Sequence, residues 1–227
     1  KPPADDYPAM PETEHLTMRL ANHFGIATVP NALIRMADGA LAYITRRIDR
    51  VNGQKLHMED MCQLTERLTE DKYKSSMEQV AKAIDKYSNY RLLDLGRLFE
   101  ITCFSFLVGN ADMHLKNFSL FKEDRRWRHA PAYDHISTRL LIPEKTDPEE
   151  LALTLGGRKR KFTARNFHDF GANIGLNPKL IGNFLGRMRK RYPDTTPIIR
   201  RSYLTENKQD ELIALIQSRA DRLFAEV

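Results

Sequence analysis

Cysteine is scarce in this chain: Cys62 and Cys103 are the two among 227 residues. Both fall in helix-like apolar patterns, and no spacing suggests a zinc site. They are expected as buried free thiols of a cytoplasmic protein. Long apolar runs are missing too. None approaches the roughly 20 residues that a membrane span needs. The opening KPPADDYPAM has no apolar core of the kind a signal peptide carries and no starting methionine, so the chain is expected to be a piece of a longer protein. Internal repeats and low-complexity tracts are absent. What is present is a globular composition, 41% apolar and 29% charged, with length for one large domain or two lobes. The net charge of +6, from 36 basic and 30 acidic residues, permits an anionic partner without demanding one. Nucleotide phosphate, nucleic acid and an acidic protein all fit.

The opening is proline-rich, with Pro2, Pro3, Pro8 and Pro11 leaving few backbone donors. An amphipathic helix follows, with Leu16, Leu20 and Phe24 at a spacing of four and Gly25 as its stop. Asp38-Gly39 between two short apolar runs predicts a hairpin. After a connector near 45–52, the pattern reads as helical from about His57. SMEQVAKAIDKYS predicts one helix and YRLLDLGRLFEITCFSFLVG a longer, more buried one. FSLFK and WRHAPAYD predict a second hairpin around Glu123 to Arg126, and helices are expected over 163–173, 177–191 and 206–226. Leu92, Leu95, Leu98, Phe99 and Phe106 are expected in the core. The layout is α+β: a small mixed portion over 1–50 and a larger helical portion over 51–227, with a ligand cleft expected between them.

Chemistry concentrates in GNADMHLKNFSLF, Gly109 to Phe121, immediately after the apolar EITCFSFLV. Asp112 and Asn117 are five residues apart on a loop, and Asp134 lies 17 residues further on. Two carboxylates and an amide oxygen suit a hard cation such as Mg²⁺, which is usually held by one or two carboxylates together with substrate phosphates. Asp-x-x-x-x-Asn is also the spacing of the protein-kinase catalytic loop, where the Asp takes the acceptor proton and the Asn binds metal. Lys116 is a candidate point cation for phosphate, and His114 a candidate for positioning phosphate or the loop. Taken singly, an Asp in a loop is usually a turn former.

These residues closely resemble the HipA family of serine/threonine kinases, the toxin half of HipA–HipB-type toxin–antitoxin systems. The family loop reads roughly D-x-H-x-K-N-F-S, followed by Y-D-x-x-S. This chain has Asp112, His114, Lys116, Asn117, Phe118 and Ser119, then Tyr133, Asp134 and Ser137. The Asp-x-His-x-x-Asn core is also similar to that of phosphatidylinositol kinases. YITRRIDR and Glu59 to Gln63 (EDMCQ) look like further family segments, and the match weakens after about residue 150. The resemblance implies a kinase-like fold using ATP and Mg²⁺. It implies Asp112 as catalytic base and Asn117 and Asp134 as metal ligands. By the same resemblance His114 and Lys116 meet nucleotide phosphates, with Leu115 and Tyr133 beside them, and Lys1 is the strand lysine on the phosphates. Arg46, Arg47 and Ile48 border adenine, with Asp49 near ribose. Arg46 and Ile48 stand where the family often has Glu and Phe. The family also places its phosphate-covering loop, and a regulatory serine, before the lysine that matches Lys1.

Other features have two readings each. Lys1 is expected to pair with Glu14 or Glu12. The basic run GGRKRKFT, Gly156 to Thr163, reads as a solvated loop or as a patch facing phosphate or tRNA. Trp127 is expected to pack over its hairpin rather than stack on a base. Family kinship implies an aminoacyl-tRNA synthetase as protein substrate, with growth arrest as the outcome, and an antitoxin partner with a DNA-binding helix-turn-helix, so that DNA is met only through that partner. No membrane-binding helix is seen, which disfavours a lipid kinase. A lipid or small-molecule kinase on the same fold, a non-catalytic nucleotide-binding or toxin-regulatory module, and a basic tRNA-binding domain are the rival readings.

Overall fold

Helix α1, Met10–His23, starts at Pro11, whose missing N–H costs nothing in a first turn, and carries Glu12 near its positive end. The coordinates are a computed structural model that describes residues 1–4, 6, 7 and 9–226. Pro8, one of the prolines of the opening stretch, lies outside the described residues. Leu16, Leu20 and Phe24 are buried in the main core, as their spacing predicts. Gly25 then ends the helix at φ +86°, a conformation that glycine adopts without strain.

Strands β1, Asn31–Arg35, and β2, Leu41–Thr45, form the expected antiparallel hairpin, with Asn31 opposite Thr45 and Arg35 opposite Leu41. Gly39 turns it at φ +87°, and the Asp38 carboxylate accepts from the N–H of Ala40 at 3.0 Å. Tyr43 N–H donates to the carbonyl of Lys1 at 2.9 Å, so the first residue runs alongside β2. A short ribbon follows, β3 (Arg50–Val51) with β4 (Gln54–Lys55).

The reading of helix from about His57 is corrected at its start. Residues Met58–Asp60 form a strand, β5, on the edge of a three-stranded sheet, with Met58 opposite Phe121 and Asp60 opposite Ser119. Three residues are too few to show a period, so pairing with a distant strand decides their state. Asp60 then caps helix α2, Met61–Leu64. Its carboxylate accepts from Gln63 N–H at 3.0 Å, and Gln63 Oε1 accepts from Asp60 N–H at 2.9 Å. The EDMCQ segment is therefore a strand end and a capping box.

Helices α3, Met77–Tyr87, and α4, Arg91–Val108, match expectation. Helix α4 is the axis of the core: Leu95, Leu98, Phe99 and Phe106 are buried, and Phe106 packs on Phe167 at 5.0 Å between centroids. Burial of each such side chain contributes about 1.5–3 kcal/mol. Leu92 is the exception and corrects the sequence reading. It is 56% exposed, because the first turn of α4 projects to the rim of a cavity of about 850 Å³ that Phe121, Pro131 and Phe184 also line. Strands β6, Ser119–Glu123, and β7, Arg126–His129, complete the second hairpin. Trp127 packs there against His57, 4.9 Å between rings.

Helices α5 (Ala164–Asn173), α6 (Pro178–Arg191) and α8 (Glu206–Leu223) lie where the sequence places them. A short helix, α7 (Thr195–Arg200), was not expected, since TTPIIR is rich in poor helix formers. Ile199 is fully buried, and tertiary packing overrides propensity there. Cys62 and Cys103 are buried free thiols. Residues 156–161 are exposed or half-buried, with Lys159 paired to Glu149 at 3.0 Å, in keeping with the solvated-loop reading, while Phe162 is buried in the core. No helix among the described residues is long and apolar enough to cross a membrane.

Candidate active site

Helix α4 stops at Gly109, φ +73°. A Cβ there would meet Leu215 Cδ2 at 2.7 Å and Arg139 Cβ at 2.9 Å, so the turn needs glycine for space as well as conformation. The loop that follows is tied down at each step. Asn110, fully buried, accepts from Asp112 N–H at 3.1 Å. Thr138 Oγ1 accepts from Ala111 N–H at 2.9 Å and donates to Gly109 O at 3.1 Å. The carbonyl of Asp112 accepts from His114 N–H at 2.8 Å and from Asn117 Nδ2 at 2.7 Å. Met113, Leu115 and Phe118 are fully buried and anchor the loop from below. Polar groups sit where a core helix ends because Met113, Leu115 and Phe118 fix the loop to the core while Asp112 and Lys116 stay partly exposed.

Asp112 is left with a carboxylate 42% exposed. Tyr73 donates its hydroxyl to Oδ1 of that carboxylate, and His114 Nε2 stands 3.9 Å from the same oxygen. Burial pushes the His114 imidazole below the ordinary histidine range, so near neutrality it is uncharged. Asn117 is buried, and donation from its Nδ2 to Asp112 turns its Oδ1 the other way, free as a ligand atom. Leu115 is fully buried, and its N–H donates to Lys72 O at 3.1 Å. Lys116 extends to Asp60, 3.2 Å from Oδ2.

Asp134 reaches the same end of the fold by a separate route. The segment after α1 runs parallel to the segment before Asp134, with Thr28 bridged to Ala132. Val29 N–H donates to Ala132 O at 3.0 Å, and Ala132 N–H donates to Ala27 O at 2.8 Å. The Tyr133 hydroxyl shares a hydrogen bond with Ser119 Oγ and donates to Lys116 O at 3.0 Å, tying this segment to the loop beside Asn117. Burial pushes the Tyr133 hydroxyl well above its ordinary pKa. Asp134 itself is at φ +59°, uncommon for a residue with a Cβ and a type of strain that gathers at functional positions. His135 follows, fully buried, its pKa pushed down to about 3 by burial. Asn110 Nδ2 donates to its Nδ1 at 3.4 Å.

The ammonium of Lys1 bridges two acids, Asp134 and Glu14, the latter at 2.9 Å. Of the two possible partners on α1, Glu14 is the one used. Glu14 is 2% exposed; burial raises its pKa, and Lys1 opposes that. At the hairpin, Ile48 packs with Leu33 and Tyr133 on the small cluster of Met18, Val29 and Tyr43. Arg46 is exposed, its N–H bound to Pro30 O at 2.9 Å. Asp49 is held by Arg47, 2.9 and 2.7 Å from Nε and Nη2, and by Arg50. The Arg47 hydrogen bonds first, and with them the two cations, hold its pKa at about 2 against the opposing pull of burial. A ribose hydroxyl at Asp49 would share it with two guanidinium groups. The structure thus joins Asn117 to Asp112, Tyr133 to the loop at Lys116, and Asp134 through Lys1 to Glu14. Sequence reasoning missed Tyr73 and the pairing role of Asp60: Tyr73 lies 39 residues before Asp112 in an irregular segment, and no periodic pattern links them.

A family model described as the HipA-like C-terminal domain matches residues 1–196. The chain belongs to the HipA-like C-terminal domain family. A Haemophilus influenzae protein named "Putative kinase" is 31% identical over 210 residues, covering 80% of this chain and 60% of that protein. "Putative kinase Y4mE" of Sinorhizobium fredii is 33% identical over 192 residues, covering 80% and 45%. The chain therefore spans about half the length of the curated relatives it matches. Among solved structures, a chain of the Shewanella oneidensis MR-1 toxin–antitoxin complex of HipA, HipB and operator DNA aligns with a TM-score of 0.80 at 20% identity, over 96% of this chain and 58% of that one. The Helicobacter pylori proinflammatory kinase CtkA aligns at 0.70 with 16% identity, over 98% and 83%. At such identities the likeness establishes the fold, a kinase-like α+β architecture.

Proposed function

We propose that this chain is the catalytic portion of an ATP- and Mg²⁺-dependent kinase that transfers the γ-phosphoryl group to a serine or threonine hydroxyl of a protein. The observation that carries the reading is the set of contacts linking Asp112, Asn117 and Asp134: Asn117 bonds Asp112, Tyr133 beside Asp134 bonds the loop at Lys116 O, and Lys1 pairs with both Asp134 and Glu14. The donor set suits Mg²⁺. Among the described residues no hydrogen bond engages Asn117 Oδ1, the Asp134 carboxylate is 43% exposed, and the cation beside it is a lysine side chain that is itself 44% exposed. When bound, the metal would be held by Asn117 and Asp134 and would neutralise charge on the phosphates.

The chain's own residues supply the rest. Lys1, steered by Glu14, neutralises phosphate oxygens as a point charge. Ile48, Leu33 and Tyr133 offer an apolar bed for a base beside the hairpin. Asp112 accepts the proton of the acceptor hydroxyl as its oxygen bonds to the γ-phosphorus and the bond to the β–γ bridging oxygen breaks, releasing ADP. Most of the acceleration in such transfers comes from positioning and charge stabilisation. Kinship supports two finer proposals: an aminoacyl-tRNA synthetase as protein substrate, and an antitoxin with a helix-turn-helix as partner.

The test is transfer from γ-labelled ATP by the full-length protein. Asp112→Asn should reduce transfer by about 10²–10⁴-fold while nucleotide binding persists in calorimetry. Asp134→Ala should abolish Mg-dependent nucleotide binding more completely than Asp112→Ala does. Full transfer by the Asp112→Asn protein, or equal binding losses in the two alanine variants, would remove the assigned roles.

A further inference from the structure

Tyr73 belongs to none of the motifs above, yet its hydroxyl ends on the Asp112 carboxylate. We propose that Tyr73 is a positioning residue for phosphoryl transfer, one that pins a single oxygen of Asp112 and leaves the other facing the acceptor hydroxyl. The proposal rests on the kinase reading.

Three observations carry it. First, the contacts to the carboxylate are one-sided. Tyr73 and the more distant His114 both face Oδ1, and among the described residues no hydrogen bond engages Oδ2. With the carboxylate 42% exposed, Oδ2 is the atom open to an incoming hydroxyl. Second, the tyrosine ring is held. It stands edge-on against His114, with centroids 5.0 Å apart at 81°. Third, its backbone is joined to the loop it serves. Leu115 N–H donates to Lys72 O at 3.1 Å, so the residue before Tyr73 is fixed to the heart of the catalytic loop. On the other side Arg67 Nη1 donates to Lys74 O at 2.6 Å, and Ser76 is bridged to Thr154. Burial and the bond to Asp112 both push the phenol above its ordinary pKa, which keeps it a donor.

A half-exposed carboxylate rotates freely and presents either oxygen in many orientations. Fixing one oxygen removes that freedom before the acceptor arrives, and small misplacements of a base are costly in rate. During transfer the acceptor proton passes to Oδ2, the acceptor oxygen takes the γ-phosphorus, and ADP leaves with the electron pair of the broken bond. The Tyr73 proton stays on tyrosine throughout. The phenol therefore acts through Asp112 and touches no reacting atom.

Tyr73→Phe keeps the ring against His114 and removes the donor. In the full-length protein with Mg-ATP, kcat should fall by about 10–100-fold, the scale of a misaligned catalytic group, with the KM for ATP unchanged. Tyr73→Leu, which also loses the ring, should fall further. An unchanged or higher kcat in Tyr73→Phe overturns the proposal; a higher one would mean that the phenol blocks the acceptor site. A KM for ATP that rises in step with the loss of kcat overturns it as well, since that marks general damage. A cycle of denaturant midpoints among wild type, Tyr73→Phe, Asp112→Ala and the double variant reads the contact without any activity. Tyr73→Phe should lower the midpoint in the wild-type background and leave it in place in Asp112→Ala. A wild type that transfers nothing sinks the kinase reading itself. An active wild type with an unaffected Tyr73→Phe sinks the positioning role alone, and an additive cycle sinks the contact on which it stands.

Discussion

Glu14 shows how one residue of this site depends on another. It is almost wholly buried on α1, and its ammonium partner Lys1 is partly in solvent. Burial acts to raise the Glu14 pKa above 4.5, and the lysine acts against it. In Lys1→Met the side-chain cation is gone and burial meets less opposition. The folded protein would then hold a proton that the unfolded chain releases, so stability falls as pH rises from the ordinary glutamate pKa through the raised one. Unfolding midpoints across that window should show Lys1→Met losing ground to wild type with rising pH. Lys1→Met combined with Glu14→Gln should abolish the trend; if it persists, Glu14 is not its source. The residues of the main loop were legible because Asp112, His114, Lys116 and Asn117 sit within six positions. Tyr73 was not, because what joins it to Asp112 is a fold, and nothing in its neighbours marks an irregular segment that will meet a loop 39 residues away.

Among the elements, α2 shows a short helix serving the site. Asp60 uses one oxygen to cap it and the other to hold Lys116, the residue beside Asn117. These roles separate by substitution. Asn caps as well as Asp, so Asp60→Asn keeps the helix and loses only a half-exposed ion pair, worth little in stability. Asp60→Ala loses the cap as well and should cost about 0.5–2 kcal/mol, read as a denaturant-midpoint shift. Equal costs in the two variants would mean that the cap contributes nothing. Long amphipathic helices such as α4 and α6, and the hairpin with Asp-Gly at its tip, were legible from period and turn chemistry. Strand β5 and helix α7 were not. Three residues carry no period, and TTPIIR reads against helix until Ile199 finds its place in the core.

At the scale of the whole molecule, α1 packs two ways. Leu16, Leu20 and Phe24 enter the same core as α4, while Met18 faces the hairpin cluster with Tyr43 and Val29. A small mixed portion and a larger helical one were legible from the order of the elements; the kinase-like architecture was legible from the family resemblance of the Asp112–Ser119 and Tyr133–Ser137 motifs. The division near residue 50 stays a proposal, because the helix expected in the smaller portion shares the larger core. That arrangement predicts a gradient in backbone hydrogen exchange. Amides of β1 and β2 should exchange faster than those of α1, and bound Mg-ATP should slow the hairpin more than the helix. Equal protection in the two elements would count against the hairpin as the mobile part.

The parallel bridge between Thr28 and Ala132 gives this a mechanical meaning. It ties the exit of α1, which carries Glu14, to the approach of Asp134. Lys1, hydrogen-bonded along β2, pairs with both acids. On the proposed kinase reading, a nucleotide entering here would part both acids from the Lys1 ammonium. The opening stroke is then measured by one contact, the reach of the Lys1 side chain.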